Sequence, residues 1–242
     1  MDGNGRWAQN RGRPRVYGHV RGVSRVREIV READRLGVRA LTLFAFSTEN
    51  WKRPQDELSV LWMLLKKFLQ RELNELERKN VRLEIFGELH RLDPELQQLI
   101  QGAQQRLQHN TGLRLGFAIS YGARREIVNA ATQFARSCLT GNVKPEDLTE
   151  DTFQEFLWTH SLGGLSDVDL VIRTSGEQRV SNFLLWQSAY AEYVFPKVCW
   201  PDFRAKDFQE ALSVYGERER RFGGVTSNAS WATNEQSIKA NV

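Results

Sequence analysis

Apolar residues recur along this chain in two alternating rhythms. Val23, Val26, Val30 and Ala33 return every three or four positions, one face of a helix that stops at Gly37. The unbroken run Ala40 to Phe46 then reads as a buried strand. After Pro54, the residues Leu58, Leu61, Leu65, Phe68, Leu69, Leu73 and Leu76 form a broad apolar face on a long helix. Val81 to Phe86 is a second strand, closed by Gly87, and Asp93 with Pro94 starts a further helix, Asp93 being its N-cap. Leu113 to Ile119 is a third strand, Arg125 to Cys138 a helix, Val168 to Ile172 a fourth strand, and Phe208 to Arg221 a closing helix. Strands separated by helices of ten or more residues predict right-handed crossovers on a mainly parallel α/β sheet. Ligands of such sheets bind beyond the carboxyl ends of the strands, so the polar loops there are the places to look for chemistry. Beyond Gly224 the pattern gives way to Ser, Asn, Thr and Ala, predicting a domain over residues 1–224 and a disordered tail over 225–242.

Composition narrows the class. At 242 residues, 40% hydrophobic and 26% charged, the chain has an ordinary globular make-up. No apolar stretch approaches the roughly 18 residues of a membrane span, and the first residues lack an apolar leader core. The expectation is a cytoplasmic protein. Two cysteines, Cys138 and Cys199, make neither a disulfide framework nor a cysteine zinc site. Thirty-four Lys and Arg against thirty Asp and Glu leave a net charge of +4. That balance permits an anionic partner, but most of the basic residues alternate with acids as on a solvated helix face. The exceptions are Arg6, Arg11, Arg13, Arg15 and Arg21, which meet no acid, and the cluster from Arg218 to Arg221.

Three loops carry candidate chemistry. In Asp2-Gly3-Asn4-Gly5-Arg6-Trp7, two glycines let backbone N–H groups converge on an anion, Arg6 adds a guanidinium, and Asp2 beside a phosphate calls for Mg²⁺. The same residues also suit a plain turn. Phe46 to Pro54 follows a buried strand, and its Ser47, Glu49 and Asn50 serve equally as caps for the next helix. Arg173 to Asn182 sets two arginines and serine hydroxyls around a glycine turn, suited to gripping a diphosphate. Glu192, in an aromatic segment, is either a second metal carboxylate or a paired surface acid.

Together with Arg179 to Gln187 and Trp200-Pro201-Asp202-Phe203, these segments resemble, in order and over nearly the whole chain, the signatures of cis-prenyltransferases. The resemblance implies an Mg²⁺-dependent transferase that repeatedly condenses isopentenyl diphosphate onto an allylic diphosphate such as farnesyl diphosphate, in the Z configuration. Its product would be a polyprenyl diphosphate of undecaprenyl length, a cell-wall lipid-carrier precursor. It further implies a homodimer, transient membrane contact for product release, and no nucleic acid.

By the same resemblance, Asp2 and Asn50 are the catalytic positions. Gly3, Asn4, Gly5, Arg6, Arg15 and His19 cradle the allylic diphosphate, flanked by Trp7. Ser47, Thr48, Glu49, Trp51 and Arg53 bind or position substrate, Arg173, Arg179, Val180 and Ser181 take isopentenyl diphosphate, and Asp2 with Glu192 holds the metal. Ala45, Leu61, Leu64, Leu65, Leu113 and Leu115 match a tunnel wall, although each also suits ordinary core. Arg218 to Gly224 would reach the partner's isopentenyl site. Gln178 stands where some members have a metal-binding histidine. Members usually carry about twenty residues before this Asp, including a central strand, so a sheet lacking its first strand is expected. A short-chain Z-prenyl synthase, a non-catalytic partner subunit and a nucleic-acid-binding module are the competing readings.

Overall fold

The structure, a computed structural model, describes residues 1–218. The strand and helix rhythm becomes an α/β arrangement with parallel strands flanked by helices. Helices α1 (Asn4–Gln9) and α2 (Arg15–Arg35) lead into β1 (Ala40–Ser47). Then come α3 (Gln55–Arg78), β2 (Arg82–Phe86), α4 (Pro94–Leu107), β3 (Arg114–Tyr121) and α5 (Ala123–Leu139). The short α6 (Glu150–Gln154), β4 (Leu170–Ile172), β5 (Glu192–Val194) and α7 (Ala205–Gly216) complete the order. The closing helix begins three residues before Phe208 and ends at Gly216, five residues short of the expected Arg221; the expected tail over 225–242 lies outside the described residues.

Local chemistry sets the boundaries. Beyond α2, Gly37 adopts φ +73, its N–H donating to the Asp34 carbonyl while Val38 N–H donates to Ala33, a Schellman close. The Asp93 carboxylate accepts from Leu96 N–H at 2.9 Å, the N-cap expected of it, with Pro94 in the first turn.

The strands form two parallel pieces: β1-β3-β2, and β4 paired with β5. Both faces of the larger piece are covered. On one, Leu43, Leu83, Ile85, Leu115, Phe117 and Ile119 pack with Val26 and Ile29 of α2, Leu58 and Leu69 of α3 and Leu96 and Ile100 of α4. On the other, Phe86 and Ala118 meet Ala123, Leu162 and Leu184. Ser120, at φ +50, breaks the strand alternation, so Tyr121 joins this second face instead of following Ile119. β1 and β4 are not paired with each other and border one large cavity.

The expected glycine turn at the N-terminus is also corrected. Only Gly3 keeps a left-handed backbone, at φ +89, and Asn4 onward is helical. The cause is tertiary. Gly18 and Gly22 sit four apart on α2, and a Cβ at Gly18 would lie 1.9 Å from the Asn4 carbonyl oxygen. The two glycines open a seat into which α1 drops, burying Ala8 completely.

Candidate active site

The cavity between β1 and β4 has a volume of about 1280 Å³ and is lined by both charged and apolar side chains. Its polar rim is built from Asp2, Gly3, Asn4, Gly5, Arg6, Arg15, His19, Ser47, Glu49, Asn50, Arg53, Arg173, Arg179, Val180 and Ser181. The interior is walled by Ala45, Leu61, Leu64, Leu65 and Phe68 with Phe117 and Ile119 of β3. Leu113 and Leu115, expected on that wall, are buried core instead: Leu113 just precedes β3 and Leu115 lies near its start, before Phe117, whose ring sits edge-on against Phe68. Ala45 reaches the cavity because β1 bulges there. Phe44 pairs with Ala118 and Phe46 with Ile119, leaving Ala45 as the extra residue.

Asp2 occupies the centre of the rim. Its N–H donates to Thr174 Oγ1 at 2.9 Å, that hydroxyl donates back to the Asp2 carbonyl, and Trp200 N–H donates to the same oxygen. The carboxylate takes Gly3 N–H at 2.7 Å and Arg173 Nη2 at 3.0 Å. Partial burial pulls its pKa upward, but the Arg173 and Gly3 hydrogen bonds outweigh that and hold it below the usual carboxylate range. Arg173 also donates to Ser181 Oγ at 2.7 Å and to the Arg179 carbonyl. Glu177 ties the two halves together, taking Arg6 at 2.7 Å and Arg179 at 2.5 Å.

A second cluster lies on the α2–α3 side. Glu57, in the first turn of α3, accepts from Arg53 at 3.0 Å, His19 at 3.1 Å and Arg15 at 3.3 Å. Burial raises the Glu57 pKa, yet the Arg53 and Arg15 charges keep it low. The His19 pKa is depressed chiefly by burial, the attraction of Glu57 only partly opposing this. Arg15 reaches the N-terminal segment because Gly5 has no side chain; a Cβ there would sit 2.6 Å from the guanidinium carbon.

At the end of β1, Asn50 Oδ1 accepts from Ser47 N–H at 3.2 Å, capping the 3₁₀ turn Thr48–Lys52. Asn182 Nδ2 donates to Glu49 at 3.2 Å.

Four expected site residues are not on the cavity wall. Trp7 is buried, stacked on Tyr17 with Arg11 over its ring. Thr48 turns toward Gly122, where a Cβ would meet its hydroxyl at 2.8 Å. Trp51 stands behind the rim among Phe46, Trp62 and Arg91, its indole N–H on Ser120 Oγ at 2.9 Å. Glu192 starts β5 opposite Leu170, whereas Arg173 follows the far end of that ladder, so Asp2 and Glu192 are not brought together. Glu192 is instead paired with Arg218, the described part of the segment expected to reach a partner. Among the described residues, no group of three or more His, Cys, Asp or Glu is gathered to hold a metal.

Sequence reasoning gave no role to Glu57, or to Glu177, Thr174 and Asn182 within the loop it singled out. A Glu near arginines was the available signal for the first two; membership of the Arg173–Asn182 loop was the only signal for the others.

Residues 1–223 match a family model described as putative undecaprenyl diphosphate synthase. An isoprenyl transferase of Geobacter sulfurreducens is 50% identical over 227 residues, 94% of this chain and 91% of that protein. One of Clostridium perfringens is 46% identical over 225 residues, 93% and 88% of the two chains. Among solved structures, lavandulyl diphosphate synthase from Lavandula x intermedia in complex with dimethylallyl diphosphate superposes with TM-score 0.89, at 36% identity, covering 92% of this chain and 95% of that one. A probable undecaprenyl diphosphate synthase from Campylobacter jejuni gives 0.72, at 35% identity, covering 84% and 92%.

Proposed function

Because this chain belongs to the undecaprenyl diphosphate synthase family of cis-prenyltransferases, acting on allylic and isopentenyl diphosphates, we propose that its two cationic clusters take one diphosphate each and that its cavity houses a growing polyprenyl chain. The observation carrying this reading is that the two arginine clusters and the apolar side chains of Ala45, Leu61, Leu64, Leu65 and Phe68 line one cavity.

In this reading Arg15, His19 and Arg53, with the backbone of Gly3 to Arg6, hold the allylic diphosphate, and Arg173, Arg179, Val180 and Ser181 hold isopentenyl diphosphate. The allylic C–O bond breaks, and its electron pair leaves on diphosphate. Donors already fixed around that group lower the barrier because they need no reorganisation as charge develops. The isopentenyl alkene forms the new C–C bond, and the proton lost from the adjacent carbon goes to the departing diphosphate. Asn50 assists as a positioning donor, since its carbonyl oxygen is engaged by Ser47 N–H.

The donor chemistry suits Mg²⁺, a hard cation bound through one or two carboxylates plus substrate phosphates. Asp2 is a half-buried, ionised oxygen donor that lines the same cavity as both clusters. Mg²⁺ would be held there and would neutralise phosphate charge. Glu192 would contribute only after leaving Arg218. Homodimerisation, transient membrane contact for product release and undecaprenyl length belong to the same proposal. Among the described residues no helix is long and apolar enough to cross a membrane.

Labelled isopentenyl diphosphate with farnesyl diphosphate and Mg²⁺, with products sized, tests it. The expected result is Mg²⁺-dependent extension to a long polyprenyl diphosphate; no incorporation overturns the reading. Ala45→Leu, which fills the bulge facing the cavity, is expected to shorten the product, and unchanged length would remove Ala45 from the tunnel wall.

A further inference from the structure

Asn182 closes the Arg173–Asn182 loop and joins three segments of the site. Its carbonyl accepts from Ala123 N–H at 2.9 Å, and its Oδ1 accepts from Arg124 N–H at 2.9 Å, so it satisfies two donors in the first turn of α5. Its Nδ2 donates to Glu49 Oε1 at 3.2 Å, on the turn that carries Asn50. Its chain neighbour Ser181 receives the Arg173 guanidinium.

The backbone here is strained. Ser181 at φ +52 and Asn182 at φ +61 are consecutive left-handed residues without a glycine. Asn tolerates that region, whereas Ser at such a position costs on the order of 1 kcal/mol. Such a conformation persists only where the surroundings over-determine it, and the three Asn182 hydrogen bonds supply that constraint. Gly122 makes the junction possible, because a Cβ there would lie 2.7 Å from Asn182 Nδ2 and 2.8 Å from Thr48 Oγ1. Glu49 is a competent acceptor. Burial pushes its carboxyl pKa up, but hydrogen bonds from its own backbone and from Asn182 bring it below the ordinary value.

We propose that Asn182 is a positioning residue that locks the Arg173–Ser181 grip to the Glu49–Asn50 turn, so that the isopentenyl diphosphate site is fully formed only when the β1 turn is in place. The inference rests on the assignment of isopentenyl diphosphate to Arg173, Arg179 and Ser181. It predicts coupling between two loops that share no contact with the same substrate atom.

Asn182→Asp isolates the coupling. It keeps an acceptor for Arg124 N–H and places a negative charge at a helix N-terminus, which stabilises the helix. It also sets a carboxylate against Glu49. Isopentenyl diphosphate binding to the full chain, read by titration calorimetry, is expected to weaken roughly tenfold, as for loss of a hydrogen bond to a charged group. The melting temperature should stay level or rise. In the double variant Asn182→Asp/Glu49→Gln the amide donates in the reverse direction, and binding should return to within about threefold of wild type, or ~0.7 kcal/mol. Gly122→Ala, whose φ of −156 accommodates Ala, should weaken binding in the same direction by pushing the junction apart. Asn182→Asp binding like wild type, or the double variant showing no recovery, overturns the coupling. A wild-type chain that binds no isopentenyl diphosphate overturns both the inference and the assignment beneath it.

Discussion

The two arginine clusters on the rim are assembled by opposite means. On the α2–α3 side, one acid reached by three side chains does the work: the Glu57 side chain is 8% exposed and gathers Arg15 and His19 of α2 and Arg53 of the loop before α3. On the β4 side, the cations are shared between Asp2, 38% exposed, and Glu177, 20% exposed. A buried acid keeps its cations converged whether or not an anion is present. An acid on the cavity wall, as Asp2 is, competes with an incoming phosphate or recruits a cation to it, and Glu177, more exposed than Glu57, holds Arg6 and Arg179 less firmly. The first cluster is therefore a fixed cradle, and the second is one that substrate and metal rearrange.

The largest effect that can break this contrast is expected from Asp2→Ala. Losing the carboxylate frees Arg173 and removes the metal donor, and kcat should fall by roughly 10²–10³, the scale of losing charge stabilisation at a leaving group. Circular dichroism should show the fold retained; full activity would end the Asp2 assignment. Next comes a stability comparison. Glu57→Ala leaves three converged donors without their acid and should cost about 2 kcal/mol in urea unfolding, against under about 1 kcal/mol for Glu177→Ala. Equal costs would erase the distinction between fixed and rearranging clusters. The smallest effect is in pH. His19 has a folded pKa below its ordinary 6.5, so between those two values the unfolded chain binds more protons and stability falls as pH falls. Wild type should lose stability more steeply than His19→Gln as pH drops from about 7 to about 5.5; identical slopes would show that burial of His19 has no energetic consequence.

The same contrast explains what the sequence could reveal. Helices α2 and α3 were legible because their apolar residues recur at 3.6 over many positions, β1 to β3 because they are continuous apolar runs, and α4 because Asp93 and Pro94 mark its start. Strand β5 has only Glu192, Tyr193 and Val194, too few to show a period inside an aromatic stretch. Helix α1 looked like a turn because its stability comes from Gly18 and Gly22 on another helix. The grip residues of the β4 loop were visible as a compact motif, Arg173 to Ser181. The Glu57 cradle was not, since Arg15 and His19 lie 42 and 38 residues from it in the chain. Trp7 and Trp51 were readable as parts of motifs, but their burial behind the rim depends on neighbours no local pattern discloses.

The central claim is that each cluster owns one diphosphate, and paired steady-state kinetics test it most directly. Arg15→Gln should raise KM for the allylic diphosphate roughly tenfold and leave that for isopentenyl diphosphate within about twofold, while Arg179→Gln should do the reverse. If both variants raised both KM values equally, the two clusters would be one site, and the account would be wrong.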